Sequence, residues 1–451
     1  MKIPRIVVAG ATSGVGKTSI TCGIIHGMQS RGYSVQPFKV GPDYIDPSYL
    51  SNISGNDACN LDAWLMGRNQ VLDSFASNSN SDISVIEGVM GFYDGATGDS
   101  NFASTHHVAS ITKSPVVLVL DASKTSRSIA ATALGFQKFH KSSHISGVIL
   151  NKIGSKRHEL LCRQALEKTK LPVLGVVYRN PELKFESRHM GLIPASASTH
   201  VKKKLVTASK IIADSLDIQE IIKIASAPAI LPKVLQPRMK KPKAVISVAL
   251  DSSFNFYYRD NLDALQREGA ILKFFSPIAD DNLSHSDGIY IGGGFPEVLA
   301  SGLERNRSMR YMIRQFSEDG MPIYAECGGL MYLTKSIRHD SKTYAMAGIF
   351  DAETVMTKKM KLNYTRGKIL SKNVISEQMR PFYGHEFHYS RLQSISPDSK
   401  FAYRLDVGDG IRDGMDGLMA HNTLASYGHL YFDRSDCAKI FVKNCKSFSR
   451  K

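Results

Sequence analysis

Short, almost uninterrupted apolar runs rich in β-branched residues recur along the first half of the chain. They are "RIVVAG" (5–10), "SVQPFKV" (34–40), "DISVIEG" (82–88), "SPVVLVLDA" (114–122), "ISGVILNK" (145–152) and "PVLGVVY" (172–178). A strand with one face in water alternates polar and apolar residues. A continuous run needs cover on both faces, the condition of a parallel strand with helices above and below it. Helix-like segments, such as 17–31 and 126–140, lie between the runs. The pattern predicts a doubly wound α/β domain.

Near 226–243 this pattern stops. "SAPAILPKVLQPRMKKPK" holds four prolines and a basic cluster, the composition of an exposed linker. Beyond it the alternation restarts: "AVISVALD" (244–251), a helix near 259–268, "ILKFFSP" (271–277), "DGIYIGGG" (287–294), a helix near 297–318 and "MPIYAEC" (321–327). The final hundred or so residues read as mixed strands and loops. We expect a first domain over 1–227, a linker over 228–243 and a second α/β domain over 244–451. There is no repeat and no low-complexity segment.

Composition excludes several classes. Hydrophobic residues make up 43% of the chain and charged residues 22%, a folded and water-soluble profile. No stretch approaches the roughly 18 apolar residues of a membrane span, and the apolar run ending at Gly10 is too brief for a signal peptide. Six cysteines (22, 59, 162, 327, 437, 445) form no C-x-x-C pair and no metal-ligand spacing. The expectation is a cytoplasmic protein with reduced thiols. A net charge of +16 favours an anionic partner. The only basic runs, "VKKKL" (201–205) and "RMKKPK" (238–243), read as solvated surface and linker.

"AGATSGVGKTS" (9–19) follows a strand and opens a helix, the setting a phosphate-binding loop requires. Backbone N–H groups of Gly14, Val15 and Gly16 can surround phosphate oxygens, Lys17 can neutralise the terminal phosphates, and the Thr18 hydroxyl can hold Mg²⁺. The spacing is G-x5-GKT, because Ala11 stands where the first glycine of the usual motif belongs. In "VIEGVMGFYDG" (85–95), Glu87 ends a hydrophobic strand, at the sheet edge where ligands gather, and is a candidate second Mg²⁺ ligand. "FKVGPDYIDPSYL" (38–50) brings Lys39, Asp43 and Asp46 to the same edge, with Asp46 a further candidate for the metal. "LNKIG" (150–154) starts like the base-reading motif of GTPases, but Gly154 replaces its aspartate, which favours ATP. Asn151 is retained as a nucleotide-binding residue.

"MPIYAECGGLMYL" (321–333) places Cys327 at the crest of a strand-to-helix turn, between an acid and two glycines. Such an elbow lifts a side chain above the sheet beside a helix N-terminus, which is expected to lower a thiol's pKa. Gly328 N–H is a candidate oxyanion donor, with Gly293 and Gly294 of "GGGFPE" (292–297) as candidate second donors. A thiolate acyl transferase needs a base. His429 in "ASYGHLYF" (425–432) and His385 and His388 in "GHEFHYS" (384–390) are the histidines these motifs single out. As a strand, the second motif would send His385 and His388 to opposite faces.

On these motifs, together with "NLDAWL" (60–65), "GVILNKIGSKRH" (147–158), "ESRHMGLIPA" (186–195), "FNFYYRDNLDALQREGA" (254–270) and "FSPIAD" (275–280), the chain resembles the cobyrinic acid a,c-diamide synthase family over nearly its whole length. The resemblance implies a P-loop, dethiobiotin-synthetase-like ATPase domain joined to a flavodoxin-like class I glutamine amidotransferase domain. It implies Cys327 as glutaminase nucleophile, His429 as its base, and Lys17 and Thr18 as ATP–Mg²⁺ residues. Glu87, Asp94, Asp43 and Tyr44 fall where the family handles the metal and the carboxylate to be activated. ATP, Mg²⁺, glutamine and an anionic tetrapyrrole are the implied reactants, with an enclosed ammonia route between the domains.

Nickel sirohydrochlorin is the alternative macrocycle, and a homodimer is compatible with the resemblance. No nucleic acid and no membrane is implied. Cobyric acid synthase is disfavoured by "FKVGPDYIDP" and "GHEFHYS". A partitioning-type ATPase switch is disfavoured by Thr12, which stands where such proteins carry a second lysine, and by the elbow cysteine. Two departures stand out. Leu50 replaces the histidine many members carry after "DPSY". Tyr431 stands two residues after His429, where other class I amidotransferases place the glutamate that orients the base. A Cys–His dyad is therefore expected, with the group orienting His429 left open.

Overall fold

The apolar runs become strands. β1 (Arg5–Gly10), β2 (Val35–Val40), β4 (Ile83–Glu87), β5 (Val116–Asp121), β6 (Ile145–Ile153) and β7 (Val173–Tyr178) fall on the six segments read from sequence. β3 (Cys59–Leu61) was not foreseen. The computed structural model describes residues 1–183, 199–234, 238–283 and 285–449. "ESRHMGLIPA" and part of the 228–243 segment lie outside them. The chain divides into two compact units, Met1–Gln236 and Pro237–Lys451.

In the first unit the strands form one parallel sheet, ordered β3-β2-β4-β1-β5-β6-β7. The chain leaves β1 to one side for β2–β4 and returns to its other side for β5. That reversal opens a crevice at the carboxyl ends of β1 and its neighbours. Gly10, Val40 and Glu87 end strands at this edge, and helix α1 (Lys17–Gln29) begins there. Gly23 and Gly27, one turn apart on α1, let it lie close against the C-terminal part of the unit. A Cβ on Gly27 would come within 2.6 Å of Ile218, and one on Gly23 within 2.7 Å of Ile212 Cβ. Arg5 is fully buried and donates to the carbonyls of Ile3, Thr112, Lys113 and Ala229, tying the unit's first strand to its last segment.

The second unit is built on a mixed sheet. β8 (Ala244–Ala249), β9 (Ala270–Phe275), β10 (Gly288–Ile291) and β11 (Ile323–Glu326) are parallel, as the apolar runs predicted. The helix expected over 297–318 is two helices, Ala300–Arg305 and Arg307–Glu318. Asn306 separates them: its side chain accepts from Met309 N–H and donates to Pro277 and Asp280 carbonyls, starting the second helix.

The C-terminal stretch supplies β12 (Thr334–His339), β13 (Lys342–Ala345), β14 (Phe350–Ile369), β15 (Pro381–Gln393), β16 (Lys400–Val407), β17 (Met415–Ala420), β18 (Thr423–Ser426) and β19 (His429–Leu430). The main path runs β13-β12-β14-β16-β17-β18-β11-β10-β8-β9, and β15 pairs with both β14 and β19. β14 bulges opposite β15: Met356 pairs Ser390, but Lys361 pairs His388. Bulges of this kind re-aim side chains near functional sites. Among the described residues no helix is long and apolar enough to cross a membrane, and all six cysteines are buried free thiols.

Candidate active site

In the first unit the loop between β1 and α1 turns on Gly14 (φ 75°) and Gly16 (φ 94°), left-handed conformations that glycine adopts without strain. The loop is braced from β6. Asn151, expected to face nucleotide, donates its amide to Val15 carbonyl (2.7 Å). Lys152, which sequence reading passed over, donates to Gly14 carbonyl (3.0 Å) and pairs with Asp121 (2.7 Å). Asn151 therefore shapes the phosphate loop from beneath.

Lys17 Nζ lies 2.6 Å from Met90 carbonyl and 3.3 Å from Thr12 carbonyl. Burial, with Lys39 nearby, lowers its pKa to about 8. Thr18 hydroxyl donates to Glu87 Oε1 (2.7 Å). The same oxygen lies 2.8 Å from Lys39 Nζ, which also reaches Asp46 Oδ2 (2.5 Å), Gly88 carbonyl (3.2 Å) and Asp43 Oδ2 (3.8 Å). Lys39 is thus the hub of three carboxylates. Burial alone would lower its pKa, but Asp46 and Glu87 outweigh that and the net effect is a rise.

Burial pushes Glu87 up to about 7 and, with the Asp46 charge, Asp43 also to about 7. Burial pushes Asp46 the same way, but Lys39 prevails and its pKa is lowered. Asp46, expected as a metal ligand, is occupied by Lys39. Asp43 Oδ1 accepts from the N–H groups of Ile45 (2.8 Å) and Asp46 (3.2 Å), at the start of helix α2 (Ile45–Ser54), where Tyr44 is the capping position. Asp94 Oδ2 accepts from Gly91 N–H (2.8 Å), next to the Met90 carbonyl that holds Lys17. Every residue named for this half from sequence thus falls at one sheet edge.

In the second unit Cys327 caps a sharp turn between β11 and the helix Gly328–Leu333, with φ 50° and ψ −101°. A non-glycine residue reaches that conformation only at a cost of about 1–3 kcal/mol, which surrounding structure must hold. Here Cys327 N–H donates to Ser426 carbonyl (2.7 Å) and Gly329 N–H to Gly292 carbonyl (3.0 Å). The two glycines are required by close approach: a Cβ on Gly328 would meet Gly294 N and Pro296 at 3.0 Å, and one on Gly329 would strike Ile291 carbonyl. The thiol donates to Phe387 carbonyl on β15 (3.3 Å). Its pKa is raised, contrary to the lowering expected at a helix N-terminus. Burial is the main cause, followed by the Glu297 charge, and Gly328 N–H opposes them only in part. The helix has six residues, too short to overcome full desolvation.

His429 is fully buried on β19, paired with His385 across β15 and stacked on its ring at 4.8 Å. His385 Nδ1 lies 3.0 Å from Tyr258 hydroxyl. His388, three residues along β15, leads elsewhere: its ring stacks on Tyr427 at 3.8 Å, and Nδ1–H donates to Ser390 carbonyl. The separation of the two histidines follows the strand expectation. Gly293 packs against His429, where a Cβ would fall 2.6 Å from Cε1, and its N–H is engaged with Phe256 carbonyl (3.3 Å). Gly294 and Gly328 adjoin each other beside Cys327.

Sequence reading missed the acids that organise this half. Glu326, immediately before the cysteine, lies 3.3 Å from His429 Nδ1 and is 1% exposed. Asp416 accepts from the N–H groups of Tyr427 and Gly428 (both 3.0 Å), fixing the turn that leads into His429. Burial pushes Asp416 up to about 6. The only sequence signal for Glu326 was its place beside the thiol.

Comparison with known proteins fits this division. The CobQ/CobB/MinD/ParA nucleotide binding domain matches residues 6–193, and the CobB/CobQ-like glutamine amidotransferase domain matches residues 245–437. The class is a nucleotide-binding unit followed by a glutamine amidotransferase unit. Over 461 residues the chain is 41% identical to the cobyrinate a,c-diamide synthase of Methanosarcina barkeri (strain Fusaro / DSM 804), covering 95% of this chain and 93% of that protein. It is 40% identical over 462 residues to that of Dehalococcoides mccartyi (strain ATCC BAA-2266 / KCTC 15142 / 195), covering 99% of both. The chain belongs to the cobyrinate a,c-diamide synthase family.

Proposed function

We propose that this protein is an ATP-dependent, glutamine-hydrolysing ligase that converts the a- and c-carboxylates of cobyrinic acid to amides. The supporting observation is the continuous relation, at about 40% identity along both units, to proteins of that name. Direct condensation of a carboxylate with ammonia is uphill and slow near neutral pH. In the first unit a substrate carboxylate oxygen attacks the γ-phosphorus of ATP, giving an acyl phosphate and ADP, with Lys17 neutralising developing charge. Ammonia then attacks the acyl carbon and phosphate leaves.

Thr18 and Glu87 are the residues that would hold the Mg²⁺ accompanying ATP. Glu87 Oε2 is buried without a hydrogen-bond partner among the described residues, which suits a metal ligand. Among those residues no group of three or more His, Cys, Asp or Glu could hold a metal alone. That suits Mg²⁺, which takes one or two carboxylates and completes its shell with phosphate oxygens and water. The ion would offset charge on the phosphates.

In the second unit the thiol passes its proton to His429 as sulfur attacks the glutamine side-chain amide. His429 gives the proton to the departing nitrogen, and water later cleaves the thioester to glutamate. Gly328 and Gly294 N–H are the oxyanion donors favoured by position, since Gly293 N–H has its own acceptor.

The test is amidation of cobyrinic acid by purified protein with ATP, Mg²⁺ and glutamine, with nickel sirohydrochlorin in parallel. Diamide, ADP and glutamate should accumulate with cobyrinic acid. Product from the nickel macrocycle alone would move the same chemistry to the other substrate. Consumption of neither ATP nor glutamine with either would end the reading.

A further inference from the structure

The sequence offers no glutamate two residues after His429, and Tyr431 stands there instead. An imidazole that must take a proton at Nε2 needs its other nitrogen protonated and its ring held. A dyad leaves both unexplained. The geometry points to Glu326, the residue immediately preceding the nucleophile, as the positioning acid for His429. This inference rests on the glutaminase reading above and deepens it.

A strand-to-elbow junction can place an acid there without occupying the space above the sheet. Glu326 is the last residue of β11, and its carboxylate stays within the protein. The left-handed turn at Cys327 redirects the next side chain toward Phe387 on β15. His429 comes from β19, three residues beyond Ser426, which pairs with Glu326 in the sheet. One short crossover therefore carries the imidazole back over the carboxylate.

Four donors converge on Glu326. Oε1 accepts from Tyr324 hydroxyl (2.7 Å) and Leu430 N–H (3.1 Å), and Oε2 from Tyr290 hydroxyl (3.0 Å) and His429 Nδ1–H (3.3 Å). A carboxylate can only accept from an imidazole, so the contact fixes the proton on Nδ1 and leaves Nε2 as the basic nitrogen. Leu430 N–H is the backbone group next to His429, so the same carboxylate grips both ring and main chain of the base. The two tyrosines keep the carboxylate from rotating away.

Glu326 has a second consequence. When His429 takes the thiol proton, an imidazolium forms in a fully buried place, and Glu326 is the negative charge in contact with it. The other groups around the site do not serve in this way. His385 stacks on the ring from β15 and is itself held by Tyr258, and burial lowers its pKa, so it adds no positive charge. Glu297 acts on the thiol, and Asp416 is spent on backbone N–H groups of the preceding turn.

The test compares glutamine-driven with ammonia-driven amidation in Glu326→Gln, with Cys327→Ala as control. The expected result is unchanged ammonia-driven turnover and a fall in glutamine-driven kcat of about 10- to 100-fold, below the roughly 10²–10⁴-fold that a group transferring the proton itself supplies, because Glu326 acts through His429. KM for glutamine should hold, and the acid limb of the pH profile should move to lower pH, because losing the negative charge makes the imidazolium easier to deprotonate. An unmoved acid limb, or unchanged glutamine-driven turnover, would overturn the assignment of Glu326. Retention of glutamine-driven turnover by Cys327→Ala would instead overturn the parent reading. Should Glu326→Gln lose ammonia-driven turnover as well, histidine-¹⁵N-labelled wild-type protein decides. A far-downfield Nδ1 proton that vanishes in His429→Ala supports the inference, and its absence from the wild type refutes it.

Discussion

Around Lys39 in the first unit, three carboxylates converge on one ammonium; around Glu326 in the second, four donors converge on one carboxylate. The first arrangement is a set of opposite charges satisfying one another. Lys17 rests on Met90 carbonyl and Thr18 on Glu87. The second is assembled from neutral donors around a single acid, His429 among them. One site is a network of mutual ion pairs and the other a single carboxylate held by neutral groups. That difference matches the chemistry: a nucleotide brings several charges of its own, whereas glutamine brings a neutral amide that must be met by groups already in place.

The sharpest way to separate the two halves is a pair of variants. Cys327→Ala should lose glutamine-driven amidation to background while keeping the ammonia-driven reaction. Lys17→Ala should lose both by about 10²–10³-fold, the scale of removing one transition-state charge partner. Parallel assays with each nitrogen source check this, and equal loss in Cys327→Ala from both sources would erase the division.

Next in size is Lys39→Met. Removing the ammonium deprives Asp43, Asp46 and Glu87 of their shared counter-charge, at a cost of about 3–5 kcal/mol that shrinks at lower pH as Glu87 takes up a proton. Hydrogen exchange of β1, β2 and β4 in denaturant should show this loss confined to the first unit.

A pH effect should also mark the first unit. Glu87 is pushed up to about 7, chiefly by burial, so in the folded protein a proton is retained across the range from its ordinary 4.5 up to about 7. Raised acids stabilise the folded state at low pH and lose that contribution as pH rises through the folded pKa. Metal binding needs the anion. Apparent affinity for Mg·ATP should therefore be greatest between about pH 7 and 8. It should fall by up to about tenfold per unit below that window as Glu87 takes a proton, and fall again above it as Lys17 loses its charge. Calorimetric titration at several pH values measures this, and a flat profile would contradict the placement of Glu87 against the metal.

The smallest effect is expected of Tyr258→Phe, which removes one neutral hydrogen bond to His385, worth about 0.5–1.5 kcal/mol. A larger loss in the denaturant stability of the second unit would mean that its site hangs on single bonds rather than on many.

The parallel strands were legible because cover on both faces demands a continuous apolar run, as in β5, "VVLVLD". β3 escaped because three residues carry too little pattern. β14 escaped for the opposite reason: its twenty residues carry many charges, and β15 and β16 define it by pairing rather than by its own hydrophobicity. The phosphate loop and the elbow cysteine were readable because their chemistry is local to a few residues. Glu326 was visible as an acid beside a thiol, with Tyr324 two residues before it on β11, but Tyr290 and His429 come from two other strands whose registers no local motif encodes. The thiol's raised pKa was misread because proximity to a helix end shows in sequence, while complete desolvation does not.

The glycine seam on α1 joins two distant stretches of chain. Lys17 and Thr18 start that helix, and one to three turns later Gly23 and Gly27 rest against Ile212 and Ile218. The tilt of Lys17 and Thr18 is thus set by hydrocarbon nearly two hundred positions downstream. Bulk added at either glycine would act as a wedge, degrading ATP use while leaving glutamine hydrolysis alone.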